Sequence, residues 1–291
     1  MARAGARKRP DDEIRRVLDD VRARCDSGAR RGADPVGIVH GFAAVEDREL
    51  VGLVAALIAF GNVKTIRSKL QDLLDRVGER PARAADNPEK IFSALKGWKH
   101  RVFLGEDLAR LMIGARTVQN ESGSLGARFA SDLAQEKNVQ GALASFCDAI
   151  RDRGRLDDGK KNGRRGPAHL LPNPRAGSGS KRLLLYLRWM VRPDDGVDFG
   201  LWNVDPAVLL CPVDTHIHKL SRNLGFTREK TMSWKTTREI TGALARLDPK
   251  DPVKYDFSLC HLGMLQRCPS RRDPQKCEGC GVQPICRHWA S

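Results

Sequence analysis

DRELVGLVAALIAF, residues 47 to 60, runs through Gly61-Asn62 into VKTIRSKLQDLLDRVG, residues 63 to 78. Apolar residues recur at three- and four-residue steps, and the second segment stops at a glycine, the residue that most readily leaves a helix. The run Leu50 to Phe60 is apolar on every side, which reads as a buried helix. Two packed helices with a tight corner at Gly61-Asn62 are expected. The same periodicity spreads outward from this pair. It predicts helices over Glu13–Arg24, near Pro88–Leu95, Gly105–Ala115, Leu125–Ala134 and Gly141–Arg151, and then from Ser180 or Lys181 to about Arg192, where Pro193 ends the run. Three more are expected after Asp214, near Lys235–Leu247 and near Asp256–Gln266. No stretch alternates as a strand does, so the fold class is all-α. Residues 152 to 180, rich in Gly, Pro and basic residues, suit an irregular surface crossing.

The formal charge is +15 over 291 residues, so the chain as a whole attracts polyanions, nucleic acid first among them. A basic protein with no such partner would show the same charge. The start, MARAGARKRPDDE, has no apolar stretch behind its positive residues and is not a secretory signal. Leu50 to Phe60 is far short of the roughly 20 residues that cross a bilayer. A cytoplasmic protein with no membrane role is expected. In that compartment eight cysteines are metal ligands or small buried apolar residues rather than a disulfide framework.

Four of the eight are clustered. Cys268, Cys277, Cys280 and Cys286 follow the pattern C-x8-C-x2-C-x5-C, in which a short irregular loop brings together four soft thiolates. Zinc and a 4Fe-4S cluster both accept four tetrahedrally disposed sulfurs, so the thiolates alone leave the metal open. Zinc ribbons usually pair two C-x2-C knuckles, whereas one knuckle here lies between two outlying cysteines. This arrangement resembles the C-terminal cluster loop of the helix-hairpin-helix DNA glycosylases of the endonuclease III and adenine-mismatch type. Their first gap is six residues rather than eight; the longer lobe CPSRRDPQKC carries Arg271, Arg272 and Lys276.

The resemblance extends upstream. GSGSKRLLLYLRWM, 177 to 190, looks like the glycosylase hairpin whose two glycines, here Gly177 and Gly179, precede the helix bearing the catalytic lysine; Lys181 matches it. PVDTHIHKLSRNLG, 212 to 225, looks like the segment that supplies the catalytic aspartate, matched by Asp214. Ala176 stands where these hairpins carry proline, and Ser178 replaces the apolar residue between the glycines. Lysine and aspartate are 33 positions apart, a separation that resembles the archaeal 8-oxoguanine glycosylases, which lack the cluster. The chain combines both features and looks most like a separate bacterial family known mainly from sequence. RELVGLVAALIAFGNVKT resembles the early helix pair of the superfamily, whose corner residue fills the slot left by an extruded base. Asn62 is at that corner, although Gly61-Asn62 also reads as an ordinary helix stop and turn.

What the resemblance implies is a helical barrel domain, 47–192, and a second domain combining 1–46 with 193–291, the cluster loop 268–286 within it. Double-stranded DNA with damaged bases or abasic sites would bind in the cleft between them. It implies a monomeric, nucleoid-associated repair enzyme with a 4Fe-4S cluster, zinc being the alternative. Lys181 would attack the anomeric carbon of a damaged, oxidised nucleotide, and the Schiff base would open the way to strand cleavage. Asp214 would stabilise the charge on the sugar and relay protons. Gly177 and Gly179 would present backbone N–H groups to a phosphate. Arg188, sharing a helix face with Lys181 and Arg192, would join Arg271, Arg272 and Lys276 on the DNA, while Leu183, Leu187 and Met190 face the core. Asp214 also reads as an N-cap, and His216 and His218 as pocket or packing residues. The other function class is a non-catalytic iron–sulfur protein that recognises abasic or distorted DNA.

Overall fold

The structure is a computed structural model and describes residues 9 to 289, the side chains of 161 and 162 excepted. It is helical almost throughout. The only strand pairing longer than a single bridge among the described residues is Lys99–His100 with Phe103–Leu104, antiparallel. The helices lie close to their expected places, including Asp11–Ala23, Val45–Ile58, Val63–Val77, Gly105–Ser122, Leu125–Glu136, Val139–Arg153, Lys181–Val191, Thr215–Leu224, Trp234–Ala245 and Asp256–Leu265. Side chains of Asn62, Asn87, Ser124 and Asn138 accept from backbone N–H groups of the first turns that follow them, and Gly78 ends Val63–Val77 at φ 95°. Among the described residues no helix is long and apolar enough to cross a membrane.

The chain divides into two compact units. One holds Gly28–Ala176 and Leu185–Val204. Its centre is Val45–Ile58, which buries ten consecutive residues from Glu49 to Ile58 and so has no solvent face. Gly105–Ser122 and Val139–Arg153 meet backbone to backbone where Gly114 faces Ile150 and Gly154; a Cβ on either glycine would strike the carbonyl of the opposite helix. Within this apolar centre lies Glu49, 1% exposed. Its Oε2 accepts from Gln119 Nε2 (2.8 Å) and Leu125 N (3.0 Å), its Oε1 from Gly126 N (2.9 Å) and Trp202 Nε1 (2.7 Å). The carboxylate thus caps the helix Leu125–Glu136 and anchors Trp202, which stacks on Phe129 and meets Tyr186 edge-on. Leu183, Leu187 and Met190 are buried, as their helical spacing leads one to expect.

Arg188 departs from its expected place on a DNA face. It is 2% exposed and donates from Nε (3.1 Å) and Nη2 (3.0 Å) to the fully buried Asp198, to which Arg192 also donates. Sharing a face with Lys181 does not carry Arg188 to solvent, because a carboxylate ten residues on holds that stretch of helix inside.

The other unit holds residues up to Ser27, Gly177–Leu184 and residues from Asp205 onward. The amphipathic helix Asp11–Ala23 buries Ile14, Leu18 and Val21 and packs on Asp256–Leu265 and the short turn Gln283–Ile285. Tyr255 Oη donates to Asp19 (2.7 Å), and Arg15 Nε to the Leu247 carbonyl (2.7 Å).

Candidate active site and metal loop

Lys181 opens its helix, half-buried, and Asp214 precedes Thr215–Leu224 in the same unit. Asp214 Oδ1 accepts from His216 N (2.9 Å) and Ile217 N (2.8 Å), so the carboxylate is an N-cap. Its other oxygen is aimed elsewhere: Cys260 Sγ donates to Oδ2 at 3.3 Å. The Cys260 thiol is pushed up by burial and by the charges of Asp214 and Asp256, and Lys181 opposes that rise. Lys181 and Asp214 belong to one compact unit, with the Cys260 thiol on the second carboxylate oxygen. No sequence pattern singles out Cys260. It lies in an apolar helical run, and no spacing relates it to residue 214. Arg182, half-buried beside the lysine in sequence, is pulled down by burial to about 10 and so keeps its charge at neutral pH.

The hairpin preceding Lys181 is tied to the start of Trp234–Ala245. Ser178 bridges Ser233, Trp234 N donates to the Gly177 carbonyl (3.0 Å), and Gly179 N donates to the Met232 carbonyl (3.3 Å). Gly179 is buried with Thr237 against it, so its N–H is committed within the protein and does not fill the expected phosphate-binding role. Gly177 is exposed at φ 83°, with nothing within 4 Å of where a Cβ would stand. Ser180, buried, adopts φ 45°, a left-handed conformation costly for a residue with a side chain.

Asn62 is exposed, and its Oδ1 caps Val63–Val77 through Lys64 N (2.9 Å) and Thr65 N (3.4 Å). Beside that corner Trp98 and His100 are buried, burial holding the His100 imidazole below its usual range, and the Arg101 guanidinium lies over the Phe60 ring.

Cys268, Cys277, Cys280 and Cys286 line a single small cavity of about 20 Å³, walled by Leu220, Leu224 and Val282 among others. Burial pushes the thiols of Cys268, Cys280 and Cys286 up, and the neighbouring cysteines add to it, so these groups ionise readily only beside a cation. Asn223 Nδ2 donates to Cys268 Sγ (3.3 Å) and to the Pro269 carbonyl (3.0 Å), the kind of outer bond that orients a ligating sulfur. The donor type and the outer bond from Asn223 are of the kind a thiolate-bound metal group uses. Among the described residues no three His, Cys, Asp or Glu side chains form a group placed to hold a single metal ion. Arg271, Arg272 and Lys276 are exposed on the long lobe. Arg272 lies over the Trp289 ring at 4.0 Å, and Lys276 pairs with Asp273 at 3.3 Å. The backbone N–H groups of His216 and His218 both bond to Asp214, and the His218 Nε2 is bonded to the Glu229 carbonyl at 3.0 Å.

Comparison with known proteins gives one match. Residues 34–265 fit the family model described as a protein of unknown function, DUF2400, a span that includes Lys181 and Asp214 and stops before the first cysteine of the loop. Neither the curated proteins nor the solved structures give a match. Since the matched span is well over half of the 291 residues, the chain belongs to the DUF2400 family.

Proposed function

We propose that the chain is a DNA glycosylase with abasic-site lyase activity, built on a helix-hairpin-helix fold and acting on damaged, oxidised bases in double-stranded DNA. The observation that carries this reading is that the second oxygen of Asp214 faces the buried Cys260 thiol and not a helix N–H, in the same compact unit as Lys181. The reading also draws on the resemblance of the hairpin, the aspartate segment and the cysteine loop to the glycosylases. Lys181, as the neutral amine, attacks the anomeric carbon; the glycosidic bond breaks and its electron pair leaves with the base. Loss of the amine proton and opening of the sugar give a Schiff base, and β-elimination then breaks the bond to the 3′ phosphate. Asp214 stabilises the positive charge that develops on the sugar and relays protons. The exposed Arg271, Arg272 and Lys276, with Gly177, suit the DNA backbone.

Borohydride reduction on duplexes carrying oxidised bases or abasic sites tests this. Wild type is expected to leave a covalent protein–DNA adduct and Lys181→Ala none. The absence of an adduct with wild type, or its persistence in Lys181→Ala, would sink the assignment. One observation favours the second reading, a non-catalytic protein that binds abasic or distorted DNA: the Oδ1 of Asp214 is already committed to capping. Tight binding without product on any lesion would bear that reading out.

Cys268, Cys277, Cys280 and Cys286 are the residues that would hold a 4Fe-4S cluster, whose contribution when bound is to brace the loop that carries the basic lobe. Protein purified without oxygen is expected to be brown, with broad visible absorbance that disappears on replacing any of the four. A colourless protein carrying stoichiometric zinc would assign the loop to zinc.

A further inference from the structure

Several arginines on the surface of this protein have carboxylate partners. Arg24 pairs with Asp20 (2.9 Å), Arg76 with Asp72 (2.8 Å), Arg116 with Asp86 (2.8 Å) and Arg153 with Glu121 (2.8 Å). One concavity gathers basic side chains without them. A cavity of about 480 Å³ is lined by Lys219, Arg222, Arg228, Lys230 and Arg287 and has no carboxylate in its wall. Among the described residues none of the five forms an ion pair; Arg287 reaches only the Gly225 carbonyl (3.4 Å). Two acids of the following segment are turned to other partners, Glu229 to Lys235 (2.6 Å) and Glu239 to the Thr227 hydroxyl (2.6 Å). Five like charges around one hollow repel one another, and an anion seated there relieves that repulsion.

The wall also narrows the chemistry of the anion. It contains no Phe, Tyr or Trp on which a base could stack, and the remaining lining is hydroxyl, amide and imidazole. Recognition there rests on charge, which suits phosphate groups and not a nucleobase. Nor does the positive surface end at the rim. Ser270 belongs to the wall and is followed in sequence by the exposed Arg271 and Arg272, while Asn223 and His288 line this cavity and the four-cysteine cavity alike. We propose that Lys219, Arg222, Arg228, Lys230 and Arg287 form a docking site for successive backbone phosphates of a nucleic-acid strand, on a track continuous with the basic lobe of the cysteine loop. The inference rests on the DNA-binding part of the proposed function and not on its chemistry: the lysine and aspartate are not in this wall.

The test is the salt dependence of binding to an undamaged duplex. For every phosphate that the protein ceases to neutralise, the slope of log K against log salt becomes shallower by about 0.9. The triple variant Arg222→Gln, Arg228→Gln, Lys230→Gln alters only exposed side chains. Its slope is expected to be shallower by up to about 2.7, so that between 50 and 200 mM salt wild type weakens about forty-fold more than the variant. A control with the same change of charge, Lys90→Gln, Lys96→Gln, Lys137→Gln, is expected to keep the wild-type slope. Equal slopes in wild type and both triples overturn the proposal, as does a wild type that does not bind duplex at all. Inorganic tripolyphosphate separates the two sources of phosphate. If it binds wild type but not the pocket variant, and the duplex slope is unchanged, the cavity serves a small anion and the strand reading falls. A slope shift without any borohydride adduct would fail the glycosylase reading alone; an adduct with an unshifted slope would fail this one alone.

Discussion

Asp214→Asn is expected to leave stability within about 0.5 kcal/mol of wild type, because asparagine caps a helix as well as aspartate does, while base excision falls by about 10²- to 10⁴-fold. The separation is possible because the two carboxylate oxygens have different neighbours. Oδ1 holds the N–H groups of His216 and Ile217, and an amide oxygen can take its place. Oδ2 faces the Cys260 thiol, where the amide would put an NH2 that carries no charge and accepts no proton. Asp214→Ala removes both features and is expected to cost about 1 kcal/mol in addition to the activity. Thermal melts and single-turnover excision on one lesion duplex read the two effects separately. An asparagine variant that excises at the wild-type rate would reduce Asp214 to a cap.

The largest expected effect on stability is at Glu49. Glu49→Leu removes the acceptor of four buried donors, the Gln119 amide, two backbone N–H groups and the Trp202 indole. A buried donor left without a partner costs about 1–3 kcal/mol, so the total is at least about 4 kcal/mol, a large part of the roughly 5–15 kcal/mol that holds a domain folded. All four donors are neutral, so an apolar side chain of similar length brings no electrostatic relief in return. Glu49→Gln keeps one oxygen and turns an NH2 towards the remaining donors, and is expected to fall between wild type and leucine. Urea titration followed by tryptophan fluorescence reports on the site directly, since Trp202 is one of the donors. A leucine variant more stable than the glutamine variant would overturn the account.

Neither Glu49 nor Asp198 can be read in this role from the sequence, and the reason is the same for both. A charged residue in an apolar helical run is normally its solvent face, and the donors that reverse this expectation arrive from 70 to 153 residues away for Glu49. Asp198 reverses the expectation for Arg188, whose spacing from Lys181 is right for a shared face but whose partner is supplied by a later loop. What is legible is local. Apolar periodicity and glycine stops place most of the long helices to within a few residues, whereas Gly105–Ser122 runs seven residues past its expected end at Ala115. The short helices Ser27–Ala33, Val36–Val39 and Pro81–Ala85 escape because they span too few residues to establish a period. The four cysteines are readable as one group because a loop of 19 residues holds them together by connectivity. The hairpin's attachment to Met232–Trp234, and with it the commitment of the Gly179 N–H, joins segments more than 50 positions apart and leaves no local trace.

The helix Asp11–Ala23 leaves the ribosome well before the surfaces that bury Ile14, Leu18 and Val21, which belong to Asp256–Leu265 and Gln283–Ile285, more than 230 residues further on. At about 5–20 residues per second the interval is roughly 10 to 50 s, during which the unit made from Gly28–Ala176 and Leu185–Val204 has been synthesised in full. The nascent chain therefore carries an uncovered apolar stripe over that interval, a natural hold for a chaperone. When Cys280 and Cys286 emerge, the helix that packs on the turn between them is already made, so that turn folds against a segment made more than 250 residues before it.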